Sequence, residues 1–255
     1  RQMAFRGAQV TVVSGPAAVK PDQKDIEVID VVTAEQMYQS TIEQYNKGAD
    51  IVVLCAAVAD YTPAKKSSVK MKKREDNLTI ELLPTKDIAA EIGKIKRQGD
   101  ILVGFALETD NETSNAQSKL ERKNLDMIVL NSLRDPGAGF AGDTNKINIF
   151  FRNGDSESFP LKSKSAVAED IVDNIPIGIG IFELPTMGSP NSRLVYASKT
   201  LCSIFGFDQA TFYAMAQDDS YLQYLPDVGQ ISPELKERFW RGETIQTRHD
   251  AYRQD

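Results

Sequence analysis

At 255 residues, with 41% apolar and 26% charged residues, the chain has a globular composition and room for one large or two ordinary domains. A net charge of −6, shared equally by residues 1–174 and 175–255, leaves no basic arm and argues against a nucleic-acid partner. Two cysteines, Cys55 and Cys202, do not make a disulfide framework, no apolar run approaches ~20 residues, and no signal peptide leads the chain, so a cytoplasmic protein with no membrane partner is expected.

Residues 1–7 (RQMAFRG) read as the end of a helix stopped by Gly7, which places the start of the domain upstream of Arg1. Residues 8–14 (AQVTVVS) and 26–32 form two apolar, Val-rich strands. Thr33 caps a helix running to about Lys47, with Glu35 in its first turn and Gly48 as its stop. A third strand covers 50–57 (DIVVLCAA). Residues 70–83 begin basic and then alternate through Leu78, Ile80 and Leu82, as a two-stranded arm half exposed to water would. A helix follows at 87–97, a strand at 101–106, a helix at 112–123, strands at 127–130 and 146–151, and a closing helix at 165–174. Strands that are continuous apolar runs, alternating with helices, predict an α/β domain around a mostly parallel sheet covered on both faces.

Ligands of open α/β sheets bind beyond the carboxyl ends of the strands. The loop after the third strand carries Ala56, Ala57, Val58, Ala59, Asp60 and Tyr61. Its small side chains let a ligand approach the backbone, and Asp60 would accept from a base or sugar, hold a divalent metal, or serve only as a turn residue. Lys65, Lys66, Lys70, Lys72, Lys73 and Arg74 then concentrate six positive charges within ten residues of an acidic chain. Such a run is either a solvated loop or a cradle for a polyphosphate. Phe105, in GFALET at the end of the next strand, packs either on a base or in the core. Lys119 and Lys123 close a helix whose dipole already favours cations there, and Asn131 stands at a strand end on the ligand side.

Five segments in register, AAVADY, VKMKK, GFALET, RKNLDMIVLN and GDTNKINIFF, make residues 1–174 resemble the C-terminal synthetase half of the bifunctional coenzyme A biosynthesis flavoprotein (the Dfp type). The resemblance implies a Rossmann-like domain with a β-arm that forms a homodimer. It also implies a phosphopantothenate–cysteine ligase: the carboxylate of 4′-phosphopantothenate attacks the α-phosphate of CTP, and the amine of cysteine then displaces CMP from the acyl-cytidylate. Magnesium accompanies the CTP, with its ligands unspecified. Lys70 aligns with the lysine needed for activity, Asp60 and the backbone of Ala56, Ala57, Val58 and Ala59 contact the nucleotide, Phe105 lines the base or ribose pocket, and Lys119 and Lys123 face the triphosphate. The family's first strand and its Gly/Ser-rich loop do not occur in this sequence, which implies a severely impaired ligase.

Beyond Asn174 the texture changes. Residues 176–182 and 193–197 read as strands, 199–205 and 232–240 as short helices, and 244–252 as a last strand. IPIGIGIFEL, LVYASKTLCSIFGF, LPDVG and RHDAYRQD resemble an α+β PAS sensor domain with an antiparallel sheet over residues 175–255, lacking its final strands. Ser198 stands where that family usually has Asn, and the ligand is unspecified. His249 is expected at the surface and Cys202 in the core. A signalling protein carrying the α/β part as a passenger is the alternative this second resemblance implies.

Overall fold

A computed structural model describes residues 1–17, 19–22, 24–65, 69, 78–108, 111–132, 142–183 and 193–216. The chain divides into two compact units, Arg1–Ile171 and Val172–Asp255.

In the first unit α1 (Gln2–Phe5) leads through Gly7, at φ +81°, into β1 (Val10–Ser14). β1 pairs in parallel with β2 (Ile26–Asp30). The next element, α2 (Ala34–Asn46), starts at a capping box. Thr33 Oγ1 accepts from the Gln36 N–H at 3.1 Å, and Gln36 Oε1 accepts from the Thr33 N–H at 3.0 Å, so two orphan donors of the first turn are satisfied. The helix ends at Gly48, whose φ of +112° strains any residue with a Cβ. β3 (Ile51–Leu54) follows and stops where the run of small residues begins, three residues short of the expected strand.

β4 (Tyr61–Pro63) and β5 (Leu82–Pro84) pair antiparallel as a separate ribbon. The residues between 66 and 77, apart from Val69, lie outside the described set, so the expected arm is seen only at its base. Asp87 caps α3 (Ile88–Ile95) by accepting from the Ala90 N–H at 3.1 Å. β6 (Ile101–Glu108), α4 (Glu112–Arg122), β7 (Met127–Ser132), β8 (Thr144–Phe151), β9 (Ser156–Ser163) and α5 (Lys164–Asp173) complete the series.

The main sheet has the order β3-β6-β7-β8-β9. The pairs β3–β6 and β6–β7 are parallel, whereas β7–β8 and β8–β9 are antiparallel. The sheet is therefore mixed rather than mostly parallel. The four residues between β8 and β9 allow only a hairpin, which forces the antiparallel direction. β9 was not among the expected strands; its polar residues and Pro160 offer no apolar run. On the edge of the sheet a missing ladder donor is tolerated.

Register assigns the faces. Val52, Leu54, Leu102, Ala106, Ile128 and Leu130 point to one side, where Tyr45 of α2, Ile88 and Ile92 of α3, and Ala116 and Leu120 of α4 cover them. Burying each large aliphatic side chain there contributes about 1.5–3 kcal/mol. Val103, Met127, Val129, Ile147 and Ile149 leave the opposite face and are equally buried. At the amino ends of β6 and β7, Asp126 takes the Lys96 ammonium at 2.7 Å and the Leu102 N–H at 2.8 Å. Asp100 takes the Tyr45 hydroxyl at 2.7 Å and Arg97 Nε at 2.6 Å.

Residues in the second unit form β10 (Gly180–Glu183) and β11 (Arg193–Ala197), an antiparallel pair, then α6 (Lys199–Ile204) and α7 (Gln209–Met215). Ser198, fully buried, caps α6 by accepting from the Leu201 N–H at 3.1 Å and also accepts from the Ile179 N–H at 3.0 Å. Cys202 and Phe212 sit in a small core with Leu194 and Ala197, and Phe205 stacks on Phe212. Burial pushes the Cys202 thiol up from its ordinary pKa, as expected of a core cysteine. The helix expected at 232–240, the strand expected at 244–252 and His249 lie outside the described residues.

α3 and the turn after α4 touch through backbone. A Cβ on Gly93 would collide with the Lys123 carbonyl oxygen and come within 3.2 Å of Asn124 Cβ. Asn124, at φ +54°, donates its amide to Gly93 O at 2.7 Å. Gly93→Ala should destabilise the protein by about 1–3 kcal/mol through overpacking, despite the better helix propensity of Ala, as a lowered urea midpoint at unchanged slope would show.

Candidate functional site at the strand ends

Parallel strands β3, β6 and β7 end on one edge of the sheet, where α/β proteins bind ligands. Residues 55–60 emerge from β3 on that edge. Ala56, Ala57, Ala59 and Asp60 are exposed, and Val58 packs back into the core as the anchor of the loop. Among the described residues, none accepts a hydrogen bond from the backbone N–H of any residue from Ala56 to Asp60. Unpaired consecutive N–H groups in a loop of small side chains are what a ligand oxygen or ring acceptor requires.

The other wall comes from the segment between β5 and α3, which sequence reasoning did not assign to the site. Thr85 Oγ1 donates to Ala59 O at 2.6 Å, and the Thr85 N–H donates to Asp60 O at 2.8 Å. Lys86 turns the other way, pairing with Glu35 at 2.7 Å and lying 4.3 Å above the Tyr38 ring. That bond holds the Glu35 carboxyl below its usual pKa. Asp87 meets the Lys123 ammonium at 2.9 and 3.1 Å. Burial pushes the Asp87 carboxyl up, but Lys123 and the Ala90 N–H together outweigh it and hold the group below the ordinary value.

Ala59, Asp60, Thr85, Asp87 and Lys123 thus form one linked series. Lys119 stands one turn before Lys123 on α4, half-buried. Phe105 alternates with Gly104 and Ala106, so its ring leaves the face opposite α3 and α4 and does not share a wall with the two lysines. Lys70, with Lys66, Lys72, Lys73 and Arg74, lies outside the described residues, while Lys65 is exposed just past β4. One further residue stands out. Asn131, near the end of β7, has a buried side-chain oxygen with no hydrogen-bond partner among the described residues. An unpaired buried acceptor costs about 1–3 kcal/mol, which a ligand donor would recover. A polar residue ending the apolar run MIVLN was its signal in the sequence.

A family model described as the DNA/pantothenate metabolism flavoprotein C-terminal domain matches residues 1–177. The chain belongs to this family. Its flavoprotein C-terminal domain is 52% identical over 172 residues to a protein named cysteine/cysteine sulfinic acid decarboxylase from an unknown prokaryotic organism, covering 68% of this chain and 48% of that one. It is 41% identical over 169 residues to the coenzyme A biosynthesis bifunctional protein CoaBC of Bacillus subtilis, covering 66% of this chain and 41% of the relative. The chain therefore spans about half the length, or less, of these curated relatives. Among solved structures, the C-terminal domain of CoaBC aligns over 68% of this chain and 76% of its own, with a TM-score of 0.56 and 32% identity. The DNA/pantothenate metabolism flavoprotein from Streptococcus pneumoniae shares the fold at 16% identity and a TM-score of 0.56.

Removing Lys123 should return the Asp87 carboxyl toward the ordinary range. In the wild type its depressed pKa adds stability that is fully present above the unfolded value near ~4 and is lost as pH falls through the folded value. Urea unfolding between pH 7 and pH 3 should therefore show a smaller loss of stability on acidification for Lys123→Met than for the wild type.

Proposed function

We propose that the chain carries a ligase domain joining 4′-phosphopantothenate and cysteine through an acyl-nucleotidyl, in particular acyl-CMP, intermediate in coenzyme A synthesis. The observation that carries this reading is the family match over residues 1–177, together with a strand-end loop whose N–H groups have no acceptor among the described residues and which Thr85 ties to the segment holding the Asp87–Lys123 pair. Several curated CoaBC proteins at 35–41% identity favour the ligase over the decarboxylation named for the 52% relative.

In this reading the backbone of Ala56 to Asp60 offers donors to the nucleotide, and the Asp60 carboxylate accepts from its base or sugar. Lys119 and Lys123 supply positive charge to the triphosphate from the α4 wall. Lys123 exchanges its Asp87 partner for a phosphate oxygen or shares it. Lys70 neutralises charge developing as the substrate carboxylate attacks the α-phosphate and pyrophosphate leaves. Phe105 bounds the base or ribose from the other face. Catalysis is then positioning and electrostatics, with no protein nucleophile. Magnesium belongs to the triphosphate. An ion held mainly by phosphates takes one or two protein carboxylates, and Asp60 is the carboxylate that the loop offers.

The β4–β5 ribbon exposes Tyr61, Leu82 and Leu83, and Leu78 and Ile80 just before it are exposed as well. A two-stranded ribbon with apolar side chains in water is marginal by itself. We assign it to pairing with a second copy of the chain, and the homodimer to the cytoplasm. Leu83→Asp should shift the mass measured by sedimentation equilibrium from two chains to one.

For residues 175–255 the proposed fold is PAS-like, supported by the antiparallel β10–β11 pair followed by the capped helix α6; its ligand is open. A sensory protein is the alternative reading. The two readings separate in a thermal titration. CTP with magnesium at a hundredfold over its Kd should stabilise the domain by about 2.7 kcal/mol, ATP less, and Asp60→Ala should remove the effect. CTP should also slow maleimide labelling of exposed Cys55, at the mouth of the loop, and leave buried Cys202 unlabelled. Absence of any nucleotide response would favour the sensory reading.

A further inference from the structure

We infer that Thr85 is a positioning residue that sets the peptide plane between Ala59 and Asp60, turning the Asp60 N–H toward the ligand. This deepens the nucleotide reading above and rests on it. One residue grips two consecutive carbonyls: the Thr85 hydroxyl takes Ala59 O at 2.6 Å, and its N–H takes Asp60 O at 2.8 Å. In a trans peptide the C=O and the following N–H point to opposite sides. Drawing the Ala59 carbonyl onto Thr85 therefore aims the Asp60 N–H away from it, and that N–H has no partner among the described residues.

Thr85 can do this because it is fixed on both sides. Pro84 before it pairs with Tyr61, and Asp87 after it caps α3 and holds the Lys123 ammonium. The loop has little else to orient it. Its side chains from 56 to 59 are three alanines and Val58, and only Val58 is anchored in the core. A rigid donor binds with less ordering cost than a mobile one. The hydroxyl is thus the element that converts a secured segment into a pre-set binding backbone, without touching the nucleotide itself.

Thr85→Val keeps the shape and the backbone bond and deletes only the hydroxyl, while Thr85→Ser restores it. In the full chain without ligand, ¹⁵N relaxation should give order parameters near ~0.85 for residues 57–60 in the wild type and in Thr85→Ser, falling below ~0.6 in Thr85→Val. CTP with magnesium should bind about five- to tenfold more weakly to Thr85→Val and with nearly wild-type affinity to Thr85→Ser, as expected for one lost hydrogen bond. Thr85→Ala provides a second hydroxyl-free variant should Thr85→Val fail to fold. Unchanged order parameters in the hydroxyl-free variants, or a Ser variant as mobile as the Val variant, would overturn the assignment. If the wild type binds neither CTP nor ATP, the nucleotide reading fails, whereas the relaxation data still decide whether the hydroxyl fixes the loop.

Discussion

The geometry of this domain depends on a backbone contact that only glycine permits. Because residue 93 has no side chain, the turn after α4 seats directly on α3, and Asn124, held in the left-handed region, fastens it with a bond to Gly93 O. From that seat the Lys123 side chain runs along α3 to its amino end and meets Asp87. A packing constraint in the interior thereby fixes where a surface cation ends up. Had the helices stood a side chain apart, the ammonium would reach solvent rather than the segment that clasps the strand-end loop.

The charge arrangement follows the same logic. The chain is acidic as a whole, yet its described lysines near the loop are not distributed for solubility. Lys86 is committed to α2 through Glu35 and Tyr38, and Lys123 to Asp87. Both pairs are partly exposed, and such pairs contribute little to stability by themselves. Their value is orientational: they hold Lys86 and Asp87 of the 85–87 segment against different helices. Deeper ion pairs, Lys96 with Asp126 and Arg97 with Asp100, sit at the opposite end of the strands and brace the scaffold there.

Much of this architecture was legible in the sequence, for reasons that also explain what was not. Apolar runs announced β1, β2, β6 and β7, and Thr33 announced α2 because its side chain can replace a missing backbone acceptor. β9 escaped because its alternation is polar on one side and broken by proline; α7, capped by Asp208, was not among the expected helices. The mixed sheet was misjudged since apolar runs report burial of both faces, not strand direction. For the site, the AAVAD loop could be placed at a strand end from its pattern. Its clasp by Thr85, 26 residues away, and the reach of Lys123 to Asp87, 36 residues away, are products of packing that no local pattern encodes.

Pro160 has a consequence for how copies of this molecule can assemble. It lies in the outermost strand of the main sheet, beside a lysine that is bent back to Asp170 and over the Phe159 ring. A strand without one of its amide donors and with a cation on its flank is a poor template for another chain. That side of the domain is sealed against sheet growth, so a contact made through the ribbon has no counterpart on β9 from which a filament could propagate. The homodimer proposed above would then close after two partners, because the ribbon would be its one adhesive strand surface on this side of the sheet.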